Sequence, residues 1–281
     1  MTALVANQCH EIMIKTLPLL LLLAQFWCPM HPDQRSDARG KCSLCGMALV
    51  RMPPATFTTN PVDLRATPTI AGVRLRIAVQ QPGGGALVRR FAIVHERPLH
   101  LFVVGETLEF FAHEHPAQQT DGVFMLDLAL PRQGTYMAIA EFLPEGGTPQ
   151  TFQQAFTTGS AVARVARPEL DLAPKTVDGM RVTLDASKVA RGEPQPLTFR
   201  IDDAATGAPI TDLEPYLGAS AHLLVVPADL TEAIHGHPAE DGRGPTVAFG
   251  PLLPRAGLYK AWIQFQRGGR VSTAAFVIDV P

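Results

Sequence analysis

Residues 100–116 read HLFVVGETLEFFAHEHP, and residues 222–238 read HLLVVPADLTEAIHGHP. Both follow H-x12-H-x-H-P with no change of spacing, so His100, His113 and His115 correspond to His222, His235 and His237. Further on, LPRQGTYMAIAEF and LPRAGLYKAWIQF share LPR-x-G-x-Y, which sets Tyr136 against Tyr259. A pattern repeated once at this distance implies duplication of a domain-sized unit, not a solenoid.

Short β-type runs surround these landmarks. VRLRIAVQ, HLFVV, GVFMLDLAL and TYMAIAEF lie in the first unit, and RVTLDA, LTFRID, HLLVV, TVAFGPLL, YKAWIQF and AAFVIDV in the second. Gly, Pro and Asp clusters separate them at the intervals of a β-sandwich. A tyrosine just after a glycine turn suggests a tyrosine corner, whose hydroxyl bonds back to the chain near a strand crossover. The expected fold is mainly β, with two tandem Ig-like β-sandwiches over 55–160 and 168–281 and a linker around 164–175. Through the HxHP signature both units loosely resemble bacterial periplasmic copper-associated Ig-like domains.

The repeated histidines are candidate ligands. Residues i and i+2 of a strand face the same way, so His113 and His115 point together, as do His235 and His237. With GETL at the tip of a hairpin, His100 is expected directly across from His113, at about 5 Å between Cβ atoms. Three imidazoles in one patch suffice for Cu(II) or Zn(II). Duplication copies structural residues equally well, and the alternative is a set of fixed rings bonded to backbone carbonyls at strand ends. His95 and Glu96 have no counterpart in the second repeat and are either additional ligands or ordinary surface groups.

Ahead of the repeats, residues 27–50 read WCPMHPDQRSDARGKCSLCGMALV. The spacing is C-x2-H, ten residues, then C-x2-C. Each short pair sets two ligands on one tight turn, giving a Cys3His tetrahedron from Cys28, His31, Cys42 and Cys45. Gly40 and Gly46 sit where tight knuckles need positive φ. Met30 and Met47 flank the knuckles. Thioethers are soft donors accepted by Cu(I) and Ag(I) and ignored by zinc, although methionine also serves as an apolar filler. CPMHP followed by GKCSLCGMALV closely resembles the heavy-metal-binding domain of copper- and silver-transporting P-type ATPases and efflux adaptors. That resemblance implies a small zinc-ribbon-like knuckle over 27–53 with these four ligands. Arg39 and Ser43 replace prolines common in the pattern without touching a ligand.

Lys15 followed by TLPLLLLLAQF has the charge and apolar length of an export signal, too short for a comfortable membrane span. Residues 1–26 are therefore expected to be a leader, with Met13 a second candidate start, and the protein to be periplasmic or otherwise exported. Loss of Cys9 with the leader leaves three cysteines. An odd number suits thiolates around a metal better than a disulfide framework.

The formal charge of −2 and the absence of a long basic run argue against nucleic acid as a partner, and leave the leader as the one membrane contact. No G-x-S-x-G, P-loop or dinucleotide fingerprint is present, and every retained cysteine sits in the ribbon, so a blue-copper centre within a sandwich is not expected. The expectation is a non-enzymatic, exported binder of a heavy metal. The ion would be copper or zinc, with silver accepted, and a metal efflux or transport protein would be the receiver. The alternative is a scaffold protein with a structural zinc knuckle and two Ig-like binding modules.

Overall fold

The computed structural model describes residues 26–28, 34–41, 49–52, 58–159, 168–194, 196–238 and 242–281. Among them every regular element is a strand. Near the N-terminus, β1 (Phe26–Trp27), β2 (Arg35–Ser36) and β3 (Val50–Arg51) form a small antiparallel sheet with β1 in the middle. Phe26, placed in the leader from sequence, is here a strand residue opposite Ser36 and Arg51. Cys28 follows β1 and is buried, and its N–H donates to Gln34 O at 3.0 Å. Met30, His31, Cys42, Cys45 and Met47 lie outside the described residues.

The first repeat contains β4 (Val62–Pro68), β5 (Gly72–Val79), β6 (Leu99–Gly105), β7 (Phe111–Glu114), β8 (Ala117–Gln118), β9 (Phe124–Ala129), β10 (Gly134–Phe142) and β11 (Gln150–Thr158). They form two sheets of order β4-β5-β9-β8 and β11-β10-β6-β7. The second repeat contains β12 (Lys175–Val177), β13 (Met180–Asp185), β14 (Leu197–Asp203), β15 (Ala221–Pro227), β16 (Ile234–Gly236), β17 (Thr246–Phe249), β18 (Gly257–Arg267) and β19 (Arg270–Val280). Its sheets run β12-β13-β14-β17 and β16-β15-β18-β19. The chain is thus mainly β, with two tandem Ig-like sandwiches.

Outer sheets show simple alternation. Along β5, Val73, Leu75, Ile77 and Val79 are buried with Phe124 and Tyr136, while Arg74 turns outward to Asp127 across the pair at 2.7 Å. Such an exposed ion pair is screened by solvent and adds little; the apolar face holds the sheet. Both tyrosine corners form: Tyr136 Oη donates to Arg132 O at 2.7 Å and Tyr259 Oη to Arg255 O at 3.0 Å.

The central strands β6 and β15 behave differently, because all seven residues of each are buried. Leu99, Leu101 and Val103 enter the first sandwich's own core. Phe102 and Val104, on the opposite face, join Ile139, Leu224, Val226 and Trp262 in a separate cluster shared by the two repeats. Trp262 also stacks on Phe111 with centroids 5.1 Å apart. Each of these large side chains stabilises the contact by about 1.5–3 kcal/mol relative to exposure. The sheet carrying β6 therefore packs on the sheet carrying β15, and the two sandwiches together stack four sheets.

One expectation is corrected. Phe102, not His100, lies directly opposite His113, and Leu101 lies opposite Glu114. Gly105 N donates to Phe110 O across a turn of residues 106–109, with Leu108 at φ 60°. This turn sits further along the chain than a GETL tip and shifts the register by two residues. In the second repeat Leu224 faces His235 in the same way. A shift of two preserves the side-chain face, so His100 becomes a diagonal neighbour of His113 and the imidazoles still meet.

Candidate metal centre

His100, Phe102 and Val104 share the inward face of β6, and His222, Leu224 and Val226 share that of β15. Both strands thus direct a histidine into the inter-repeat interface at its polar end. In each hairpin the returning strand brings the H-x-H pair alongside. His100, His113 and His115 offer ligand atoms within 4.8 Å of one another, and so do His222, His235 and His237. The six histidines picked from sequence therefore gather into two triads. Contrary to two separate patches, the triads adjoin: His113 lies 5.6 Å from His222 and 5.9 Å from His235, centroid to centroid.

Hydrogen bonds to oxygen acceptors fix which ring nitrogens bear protons. His100 Nε2–H donates to Val94 O at 2.9 Å, and His222 Nε2–H donates to Tyr216 O at 2.8 Å. In each neutral ring the lone pair is then on Nδ1, inside the triad. His113 Nδ1–H donates to Gln264 Oε1 at 2.8 Å, and the Gln264 amide orientation is set by Nε2 donating to Thr273 Oγ1 at 3.1 Å. His235 Nδ1–H donates to Glu141 Oε2 at 2.7 Å. The lone pair of His113 therefore sits on Nε2, and His235 likewise directs its Nε2 into its triad.

In the first triad two lone pairs consequently face each other, His100 Nδ1 to His113 Nε2 at 3.2 Å, and in the second His222 Nδ1 approaches His235 Nε2 at 3.3 Å. A hydrogen bond between His100 and His113 would require a doubly protonated ring, and burial opposes that in both. Burial lowers His100 to about 4, His115 to about 3, and His113, His222 and His237 well below the ordinary imidazole value. His115 Nε2, 3.2 Å from His100 Nδ1, can supply at most one proton to its triad. His237 Nε2 is buried with no hydrogen-bond partner among the described residues. Converging imidazoles, four of them aimed by hydrogen bonds to oxygen acceptors, are the donor set that a transition-metal cation needs.

Charge points the same way. Burial raises the Glu141 carboxyl, but the hydrogen bond and attraction to His235 outweigh it, so the group lies below the usual carboxylate range. It brings a negative charge to a site otherwise built of imidazole rings. A cleft of ≈ 420 Å³ elsewhere, beside Tyr136 and Arg132, contains no histidine. The cleft that opens onto the centre measures ≈ 330 Å³ and is lined by His95, Arg97, His100, Glu141, His235 and His237.

Sequence reasoning missed the outer residues. Glu141 and Gln264 occupy equivalent positions five residues after Tyr136 and Tyr259. A polar residue within the apolar runs YMAIAEF and YKAWIQF was the available signal. His95 and Glu96 do have positional counterparts, Leu217 and Gly218, in matching turns closed by Val94–Arg97 and Tyr216–Ala219 bridges. His95 adopts φ 47° and Leu217 φ 51°. His95 is buried, not a surface residue, and its ring stacks on His237 at 3.7 Å.

Residues 25–52 match the model of the heavy metal binding domain, and residues 175–281 match a domain of unknown function (DUF8832). No curated protein matches the chain. Among solved structures, a two-domain fibronectin type-III segment from chicken tenascin is similar at 15% identity and TM-score 0.23, over 79% of this chain and 99% of that one. The FN1–FN3 domains of chicken CNTN1 align at 9% identity and TM-score 0.21, over 86% and 76%. The BSP domain of a biofilm associated protein aligns at 12% and 0.20, over 78% and 29%. Scores at this level carry no argument about arrangement; the sandwiches are defined by their own sheets.

Proposed function

We propose that the protein is an exported, non-catalytic heavy-metal-binding protein that chelates or ferries copper in the bacterial periplasm. The observation that carries this reading is the pair of histidine triads whose ring nitrogens converge, His100 Nδ1 to His113 Nε2 at 3.2 Å and His222 Nδ1 to His235 Nε2 at 3.3 Å. The heavy metal binding domain at residues 25–52 supports a metal role independently. In this reading Cys28, His31, Cys42 and Cys45 capture the ion, and Met30 and Met47 provide a soft route for handing on Cu(I). The imidazole triads suit Cu(II) or Zn(II), and a metal efflux or transport protein receives the cargo.

Cu(I) competition titration of the purified chain tests the ribbon's part. Tight binding is expected in the wild type and its loss in the Cys42→Ser, Cys45→Ser variant; equal affinity in the two would exclude the ribbon as the cargo site. Metal analysis of protein from copper-fed cells separates cargo from clamp. Copper in the isolated protein agrees with the proposal, whereas stoichiometric zinc without copper favours the scaffold alternative.

A further inference from the structure

We infer that the two triads are halves of a single two-metal centre, assembled only where the two sandwiches dock. This rests on the reading of the triads as metal sites and goes beyond it, because two independent mononuclear sites would fit that reading equally well.

Spacing is the first argument. Within the triads, ring centroids lie 4.5–5.6 Å apart, from His235–His237 to His222–His235. Between triads the His113–His222, His113–His235 and His100–His235 separations are 5.6, 5.9 and 6.0 Å. The gap between sets is hardly larger than the gap within them. Ions bound to such rings share one cavity instead of being insulated by protein.

Outer-shell contacts supply the second argument, and they cross the interface in both directions. Gln264 of the second sandwich accepts from His113 of the first, and Glu141 of the first accepts from His235 of the second. Outer-shell partners fix the tautomer and aim of a ligand ring. Neither triad therefore has its geometry complete within one sandwich. His95 adds a third crossing contact: Nδ1–H donates to Leu217 O at 3.2 Å, while its buried Nε2 has no partner among the described residues.

Electrostatics defines the third requirement. Two cations in one low-dielectric cavity repel strongly, so a two-metal centre needs negative charge and room for a bridging anion. Glu141 provides a carboxylate at the centre, and the cleft lined by His95, His100 and His237 gives access for water or hydroxide. Paired metal sites joined by a shared small ligand are a known arrangement for close ions. The chemical class of ligand is thus a pair of imidazole-binding divalent ions with a small bridging anion.

The test uses the full chain carrying Cys28→Ser, Cys42→Ser and Cys45→Ser, so that the ribbon takes no copper. Cu(II) is added in steps, with bound metal measured by dialysis and unpaired spins by integrated electron paramagnetic resonance. The expected result is two Cu(II) per chain, with spins per copper falling below one as the second ion enters, or a half-field line. Two ions at full spin count without that line would overturn the shared centre while leaving the triads as metal sites. Binding of no Cu(II) would overturn both. Should the cysteine variant not fold, His115→Gln and His237→Gln in the otherwise native chain give the same decision. Each is expected to bind one Cu(II) fewer and to restore full spin intensity to its remaining histidine-bound copper; loss of one ion with no change in intensity per copper would overturn the inference.

Discussion

Acidifying the metal-free chain from pH 8 to pH 5 should remove about 4 kcal/mol of stability through His95 and His100 alone. His95 is lowered to about 3 and His100 to about 4, burial being the largest cause for each. Both residues are under a tenth exposed, so solvent screening is small. Unfolded histidine titrates near 6.5. The folded pKa values are depressed, so the unfolded chain binds more protons through this window. Stability is then fully present above about pH 6.5 and falls as the pH drops toward the folded values. At pH 5 the unfolded imidazole is about 1.5 units below its pKa, and at about 1.4 kcal/mol per unit each group costs about 2 kcal/mol. Urea unfolding in chelator, followed through Trp262 fluorescence, measures the loss. His95→Leu, which installs the residue of the equivalent position Leu217, should reduce the loss by about 2 kcal/mol. Equal stability at the two pH values, or an unchanged loss in the variant, would refute the reasoning.

Other perturbations follow from the same contacts. Glu141→Gln should weaken metal at the His235 triad about 10-fold by making the outer-shell acceptor neutral, and Gln264→Glu should tighten the His113 triad; competition titration in the ribbon-silenced chain measures both. Trp262→Ala should cost about 3–5 kcal/mol and lower the affinity of both triads together, since it empties the cluster that docks the sandwiches. Paired unfolding and metal titrations check this. Tyr136→Phe or Tyr259→Phe should each cost about 1 kcal/mol in urea unfolding by deleting the corner hydrogen bond, with metal affinity unchanged.

Much of this architecture is legible in the chain. The two H-x12-H-x-H-P stretches and the two LPR-x-G-x-Y corners specify a duplicated sandwich, and strict spacing marks the triads. The hairpin register was not legible, because it depends on Leu108 and Leu230 taking left-handed turns, with φ 60° and 54°. Leucine gives no warning of that conformation. Docking of the sandwiches was written only faintly. HLFVV and HLLVV are apolar on both faces where an outward face should alternate, which signals two-sided burial but not what covers the second face. Glu141 and Gln264 acquire meaning only once that docking is known, because their partners lie in the other repeat.

The most direct measurement is anomalous diffraction at the copper edge from crystals of the copper-loaded chain. The account predicts two peaks between the sandwiches, each about 2.0 Å from the inward nitrogens of one triad: His100 Nδ1, His113 Nε2 and His115 in one, His222 Nδ1, His235 Nε2 and His237 in the other. Copper bound elsewhere in the molecule, with both histidine sets empty, would contradict it.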